Sequence, residues 1–234
     1  MNVLFSKDIS LNRDTHTYTL KSKPTAKFIS TTTIVHSLFA PFEKEKIAAN
    51  LVAVSPKYAS FTKEELMALW DKSGTDGTKV HNELEAYIKN RIPVTEIKAH
   101  QGVKWINQFD QDKYDWYPEV IIYSEELGIS GTIDLLIYNV ITKVFIIIDW
   151  KTNEKIVQTA FRNKKGISIF SKNIPDSNYW HYVFQLGIYR HILENYYGKN
   201  IKTQAIIHLQ NDIFTEYELP YLKREIDLLV ASIK

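Results

Sequence analysis

Val144-Phe145-Ile146-Ile147-Ile148-Asp149-Trp150-Lys151 is the stretch on which the fold turns. Its run of five apolar residues leaves no polar face, so a strand made of it must be covered on both sides. Two further strands precede it, Glu119-Val120-Ile121-Ile122-Tyr123 and Thr132-Ile133-Asp134-Leu135-Leu136-Ile137-Tyr138. Residues 202–210 and 213–219 read as a last strand pair. Between the two groups, residues 177–197 form a helix with Trp180, Val183, Phe184, Ile188 and Ile192 on its apolar face, and Gly198 stops it. Pro220 begins a final amphipathic helix that carries Ile226, Leu229 and Val230.

Ahead of the strands the pattern differs. Residues 1–30 alternate polar and apolar around Thr15-His16-Thr17-Tyr18-Thr19-Leu20, as a hairpin does. Ser30-Thr31-Thr32-Thr33 then offers an N-cap to Ile34, Val35, Leu38 and Phe39, and Pro41 closes that segment. Residues 43–53 and 62–72 read as helices, the second opened by the capping box Thr62-Lys63-Glu64-Glu65. Gly74-Thr75-Asp76-Gly77 reads as a turn. A helix over 78–90 follows, with Val80, Leu84, Tyr87 and Ile88 at core spacing, and another near 96–111. The expectation is one α/β domain over 1–234: a central mixed sheet flanked by helices over 113–234, with a hairpin and helical region over 1–112.

Composition excludes several classes. The chain has 234 residues, 44% apolar and 24% charged, which is ordinary for a globular protein. It has no cysteine, so disulfide scaffolds and thiolate zinc sites are out, as fits an intracellular protein. No apolar run reaches membrane-spanning length, and Met1-Asn2-Val3-Leu4-Phe5-Ser6-Lys7-Asp8 lacks the basic-then-apolar order of a signal peptide. The net charge of +2 gives no global argument for nucleic acid. Locally, residues 151–172 hold Lys151, Lys155, Arg162, Lys164, Lys165 and Lys172 against the single acid Glu154. That stripe can take phosphate, or it is a solvated loop.

The chemistry starts at the end of the apolar strand. A carboxylate there is costly unless it is paired or bound to a cation. Asp149 and Lys151 are two apart, so on a strand they share a face. Asp134 emerges from a similar apolar strand, and the two carboxylates can meet on one divalent ion. A lysine beside an attacking water balances developing negative charge. Asp, then Asp-x-Lys on a neighbouring strand, is therefore a minimal apparatus for phosphodiester hydrolysis. The triplet alone is weak, since Glu96-Ile97-Lys98 has the same form without an apolar strand before it.

Four segments in order resemble the RecB-type branch of the PD-(D/E)XK nucleases. They are Gly77-Thr78-Lys79-Val80-His81-Asn82-Glu83-Leu84-Glu85, Gly131-Thr132-Ile133-Asp134, Ile148-Asp149-Trp150-Lys151-Thr152, and Gln185-Leu186-Gly187-Ile188-Tyr189. Ser30-Thr31-Thr32-Thr33-Ile34 also looks like a segment common there, and the resemblance spans residues 28–210. Within the branch the chain is similar to single-domain exonucleases of large DNA viruses and phages and to the mitochondrial genome-maintenance exonuclease. Ile133 stands where the family name has proline; the RecB-type branch commonly has Gly-x-x-Asp instead.

The resemblance implies a restriction-endonuclease-like sheet, Mg2+ or Mn2+ as cofactor, and DNA as partner. It implies that Asp134 and Asp149 are metal ligands, joined by the Trp150 backbone carbonyl and by His81, and that Lys151 handles the attacking water. Gln185 and Tyr189 would stand beside the scissile phosphate or orient the lysine. Glu119 and Glu85 would be secondary partners, with Glu125 and Glu126 competing for the role of Glu119. Thr152, Arg162, Lys164 and Lys165 would track the nucleic acid. The expected protein is an exonuclease on single-stranded DNA ends, with one or two metals, serving repair, recombination or replication. Its expected place is the cytoplasm of a bacterial or virus-infected cell, or an organelle. Two other readings stand beside it: a structure-specific or restriction-like endonuclease, and a noncatalytic nucleic-acid-binding module.

Overall fold

The structure is a computed structural model describing residues 4–13 and 15–233; Met1, Asn2 and Val3 of the N-terminal reading lie outside the described residues. The elements are β1 (Ile9–Asn12), β2 (Thr17–Leu20), β3 (Ile29–Ser30), α1 (Thr31–Leu38), α2 (Lys44–Val54), α3 (Lys63–Asn90), α4 (Ile97–Ile106), β4 (Tyr114–Ser124), β5 (Ile129–Asn139), β6 (Val144–Lys151), α5 (Asn178–Tyr196), β7 (Ile201–Leu209), β8 (Phe214–Glu218) and α6 (Lys223–Ala231). The protein has an α/β fold, with a central mixed sheet flanked by helices. No helix among the described residues is long and apolar enough to cross a membrane.

The apolar strand β6 is central, as its composition requires. It pairs antiparallel with β5 and parallel with β7. Phe145 and Ile147 face a core built with α1, α5 and α6, including Ile34, Leu38, Phe184, Ile188 and Ile226. Ile146, Ile148 and Trp150 face the other core, where Val80 and Leu84 of α3 meet Ala99, Trp105 and Ile106 of α4. Alternation along one strand thus feeds two hydrophobic layers. The hairpin β1–β2 is separate, docked through Ile9, Tyr18 and Leu20 against Tyr123.

Strand pairing leaves a fork in the sheet. β4 runs along one side of β5 from Ser124 opposite Ile129 to Tyr114 opposite Asn139. On the other side, β6 pairs with β5 only from Leu135 outward, and β3 only at Ile129 and Ser130. Residues 131–134 have no strand partner there. β6 meanwhile stays with β7 through Asp149, Trp150 and Lys151. The end of β6 has left β5 where the candidate residues begin.

The structure corrects four boundaries. Gly74-Thr75-Asp76-Gly77 is not a turn but the interior of the 28-residue helix α3. The capping box at Thr62 and Glu65 starts it, and Lys72 and Lys79 both hold Asp76. Gly77 marks a close approach: a Cβ there would lie 2.8 Å from Thr152 Oγ1. The helix ends at Arg91, whose φ of 56° is left-handed. α4 stops at Ile106, well short of 111. β4 begins at Tyr114 and places Glu119 in its middle, not at its head. α6 starts at Lys223, after Pro220. β3, two residues long, is too short for periodicity to reveal.

A continuous α3 has a measurable consequence. A Cβ at Gly74 would meet nothing within 4 Å, so Gly74→Ala is expected to stabilise the protein by up to ~1 kcal/mol, the helix-propensity difference. A Cβ at Gly102 would lie 2.7 Å from Leu84 Cδ2, so Gly102→Ala is expected to destabilise by about 1–3 kcal/mol through overpacking. Urea denaturation of both variants checks this pair; a turn at 74–77 would reverse the sign at Gly74.

Candidate metal and catalytic site

The site occupies the mouth of the fork. The ladder pairs Pro118 with Leu135 and Val120 with Ile133, which sets Glu119 opposite Asp134. Side-chain alternation inverts at this rung. Trp116 packs with the α3–α4 core, whereas Val120 and Ile122 pack on the opposite side of the sheet. On β5, Ile133 and Leu135 likewise fall in different cores. Residues two apart share a face in a regular strand, so both strands are irregular here. The cause is visible at Glu119, whose φ is +53°. A glutamate held in the left-handed region costs on the order of 1–3 kcal/mol, a strain that tends to collect at functional sites.

α3 brings His81 over this rung. Its Nδ1 lies 3.4 Å from Asp134 Oδ2. Ligand atoms of His81, Glu119 and Asp134 all lie within 4.8 Å of one another, close enough to share one cation. The Trp150 backbone N–H donates to Asp134 Oδ2 at 2.9 Å, bridging the fork and fixing the carboxylate. The Trp150 side chain is core, edge-on to Trp105 with ring centres 5.4 Å apart.

Asp149 and Lys151 lie on the odd-numbered face of β6, toward α5. The Lys151 ammonium is ion-paired to Asp149 Oδ2, a buried oxygen with no directed hydrogen bond. Gln185 Nε2 donates to Asp149 Oδ1 at 3.5 Å and to the Tyr189 hydroxyl at 3.1 Å. Tyr189 fits only because residue 131 is glycine; a Cβ there would lie 2.4 Å from Tyr189 Cε1. The Lys151 ammonium sits 4.4 Å from the ring centre of Tyr182, a cation–π contact. Tyr182 is a site residue that the sequence patterns above do not single out. Its position one helical turn before Gln185, on the same side of α5, is the signal that could have placed it.

The charges are strongly perturbed. Burial, then the neighbouring Asp134 and Glu85, push Glu119 up to about 7. Burial and Asp134 raise Asp149 to about 6, although Lys151 pulls the other way. Burial opposes the charge on Lys151, but Asp149, Tyr182 and Asp134 outweigh it and hold the ammonium above its ordinary value. Burial likewise opposes the charge on His81, and Asp134 and Asp149 outweigh it, raising the imidazole. Asp134 is lowered despite burial, through His81, Lys151 and the Trp150 N–H.

Not every expected residue arrives. Glu119, expected as secondary, stands in the triad with His81 and Asp134, while Asp149 lies outside it, engaged by Lys151 and Gln185. Glu85 is tied to Arg13 and Lys89. Glu125 pairs with Lys23, far along β4's end turn. Thr152 lines the cleft, but Arg162, Lys164 and Lys165 do not. Their loop is fastened by Ile167 N–H and Ser171 Oγ to Leu38 O, at the C-terminal end of α1, whereas Ser30, Thr31 and Thr32 at its other end line the cleft. The rival triplet Glu96-Ile97-Lys98 opens α4, and its Lys98 ammonium donates to the Thr152 carbonyl.

No protein-family model and no curated protein matches the chain. Among solved structures, one titled "Crystal structure of SSO0001" matches 88% of this chain and 74% of its own, with 16% identity and a TM-score of 0.39. A likeness that weak carries no argument about function.

The acids make stability depend on pH. Folding raises Glu119 and Asp149, so their ionisation opposes folding, and stability falls as pH rises from the unfolded carboxylate values toward about 7 and about 6. The raised His81 contributes stability below its ordinary value and loses it as pH rises, in the same direction. Metal-free protein is expected to be less stable at pH 8 than at pH 5 by on the order of 3 kcal/mol, with Glu119→Gln removing much of the difference. Urea denaturation in chelator at the two pH values measures it; equal stability would contradict the electrostatics.

Proposed function

We propose that the protein is a divalent-metal-dependent nuclease that hydrolyses phosphodiester bonds in DNA. One observation carries this reading: His81, Glu119 and Asp134 converge within 4.8 Å at a fork whose other arm presents the Asp149–Lys151 pair. The donor set suits Mg2+ or Mn2+, with hard carboxylate oxygens and one imidazole. Glu119 and Asp149, whose ionisation burial resists, are groups that a cation would satisfy. A noncatalytic module would not need such a collection.

His81, Glu119 and Asp134 would hold the ion, with Asp149 beside it. Bound there, it would supply Lewis-acid polarisation of the phosphoryl oxygen and activation of water. Lys151 is held charged by Asp149 and Tyr182, so it serves to orient water and balance negative charge, not to accept a proton. Gln185 links Asp149 to Tyr189 and keeps the carboxylate turned toward the lysine. The Trp150 N–H keeps Asp134 in place. The resemblance to the RecB-type PD-(D/E)XK nucleases agrees on His81, Asp134 and Lys151, differs in making Asp149 a ligand and Glu119 secondary, and supports action on DNA ends.

The test is cleavage of end-labelled single-stranded, duplex and circular DNA, and of RNA, with Mg2+ or Mn2+. Wild type is expected to release labelled products only with metal. Lys151→Ala is expected to lower kcat by about 10²–10³-fold, the usual loss of a charge-stabilising group, and Asp134→Asn to abolish cleavage. Undiminished cleavage by Lys151→Ala would sink the mechanism, and cutting of closed circles would overturn the dependence on ends.

A further inference from the structure

The catalytic cluster uses only part of its cleft. The cavity is about 740 Å³, and α3 forms one wall of it from Trp70 past Ser73 to His81. Trp70 and His81 are eleven residues apart on one helix, roughly 16 Å along its axis. Beyond His81, the hairpin brings Arg13 onto the same helix, where its guanidinium donates to Asn82 Oδ1 at 3.1 Å and Glu85 Oε2 at 3.3 Å. The order along α3 is therefore an indole, the metal-capable triad, and a guanidinium.

Both end groups face the cleft, and Arg13 is also ion-paired to Glu119 Oε2 at 3.5 Å. Trp105 and Trp150 are buried in the core, whereas Trp70 is only half-buried and lines the cleft. Phe42 stands against it, with ring centres 5.6 Å apart, and is 65% exposed. Aromatic surface beside a polar, charged cleft is not explained by packing alone. Arg13 also lines the cleft and its side chain is 57% exposed. A planar guanidinium matches phosphate oxygens in pairs, and a free aromatic face matches any base.

We propose that a single strand of nucleic acid lies along α3, one base stacked on Trp70 backed by Phe42, and a phosphate beyond the triad held by Arg13. The identification of the ligand as nucleic acid rests on the nuclease reading. The choice of an unpaired strand does not: stacking on Trp70 needs a bare base face, which a duplex offers only at its ends. Neither residue is among the site residues that the resemblance implies, and Arg13 touches the triad only through its ion pair with Glu119.

Fluorescence anisotropy of labelled oligonucleotides tests this, using the full chain in a Lys151→Ala background and again in an Asp134→Asn background, should either fold poorly. Trp70→Ala is expected to weaken single-strand binding roughly tenfold to a hundredfold while leaving internal duplex binding unchanged, and Trp70→Phe to retain most of the affinity. Arg13→Ala is expected to weaken binding and to make the slope of log K against log salt shallower by about 1. Equal loss on both nucleic-acid forms, or no loss on single strands in a variant with parental thermal stability, overturns the stacking platform. An unchanged salt slope in Arg13→Ala overturns the phosphate contact. The wild-type cleavage assay separates the two claims. Cleavage with a silent Trp70→Ala leaves the nuclease and rejects the platform, while strand-selective binding through Trp70 without any cleavage does the reverse.

Discussion

The parting of β6 from β5 beyond the Leu135–Ile148 pair is the constraint from which the site follows. A β-sheet normally satisfies backbone groups rung by rung. Here the ladder stops, and a side chain replaces it: Asp134 accepts the N–H of Trp150 across the gap. The opening admits α3 with His81 on one side and α5 with Tyr182, Gln185 and Tyr189 on the other. It is stable because each arm has another partner, β4 for β5 and β7 for β6. The apolar content of β6 covers both faces of the sheet and leaves its polar end at the opening.

That geometry concentrates charge where water is scarce. Three carboxylates, an imidazole and an ammonium share the fork, and burial resists ionisation of each. Asp149 and Lys151 offset the cost in part as an ion pair, although Asp149 stays raised to about 6. Asp134 is settled by His81 and the Trp150 N–H. Glu119 is the least compensated: strained in φ and raised toward neutrality although His81 and an Arg13 ion pair at 3.5 Å pull the other way. A site that combines a carboxyl raised by burial with backbone strain stores free energy that a bound cation would release.

Much of this was legible in the sequence because it rests on local patterns. The apolar run 144–148 announces a doubly covered strand, and the capping box at Thr62 and the N-cap Ser30 announce helix starts. Asp149 and Lys151 share a face because strand period is two, and Gln185 and Tyr189 meet because helix period is near four. What failed was non-local. Gly74 and Gly77 carry turn chemistry, but capping, ion pairs and the approach of Thr152 keep them helical. Glu119 was undervalued because its partnership with Asp134 depends on the β4–β5 register and on a left-handed φ that a glutamate does not advertise. The basic loop was overvalued because its charges are counted along the chain, while its anchor at Leu38 carries it to the far end of α1 from the cleft.

The claim that everything else serves is that the fork gathers one divalent-ion site from β4, β5 and α3. Anomalous diffraction from crystals soaked in Mn2+ tests it without reference to any substrate. The account predicts a strong peak bonded to a ring nitrogen of His81 and to carboxylate oxygens of Glu119 and Asp134, lost in Glu119→Gln crystals. No peak in the fork, or a peak that ignores Glu119 and His81, would contradict it.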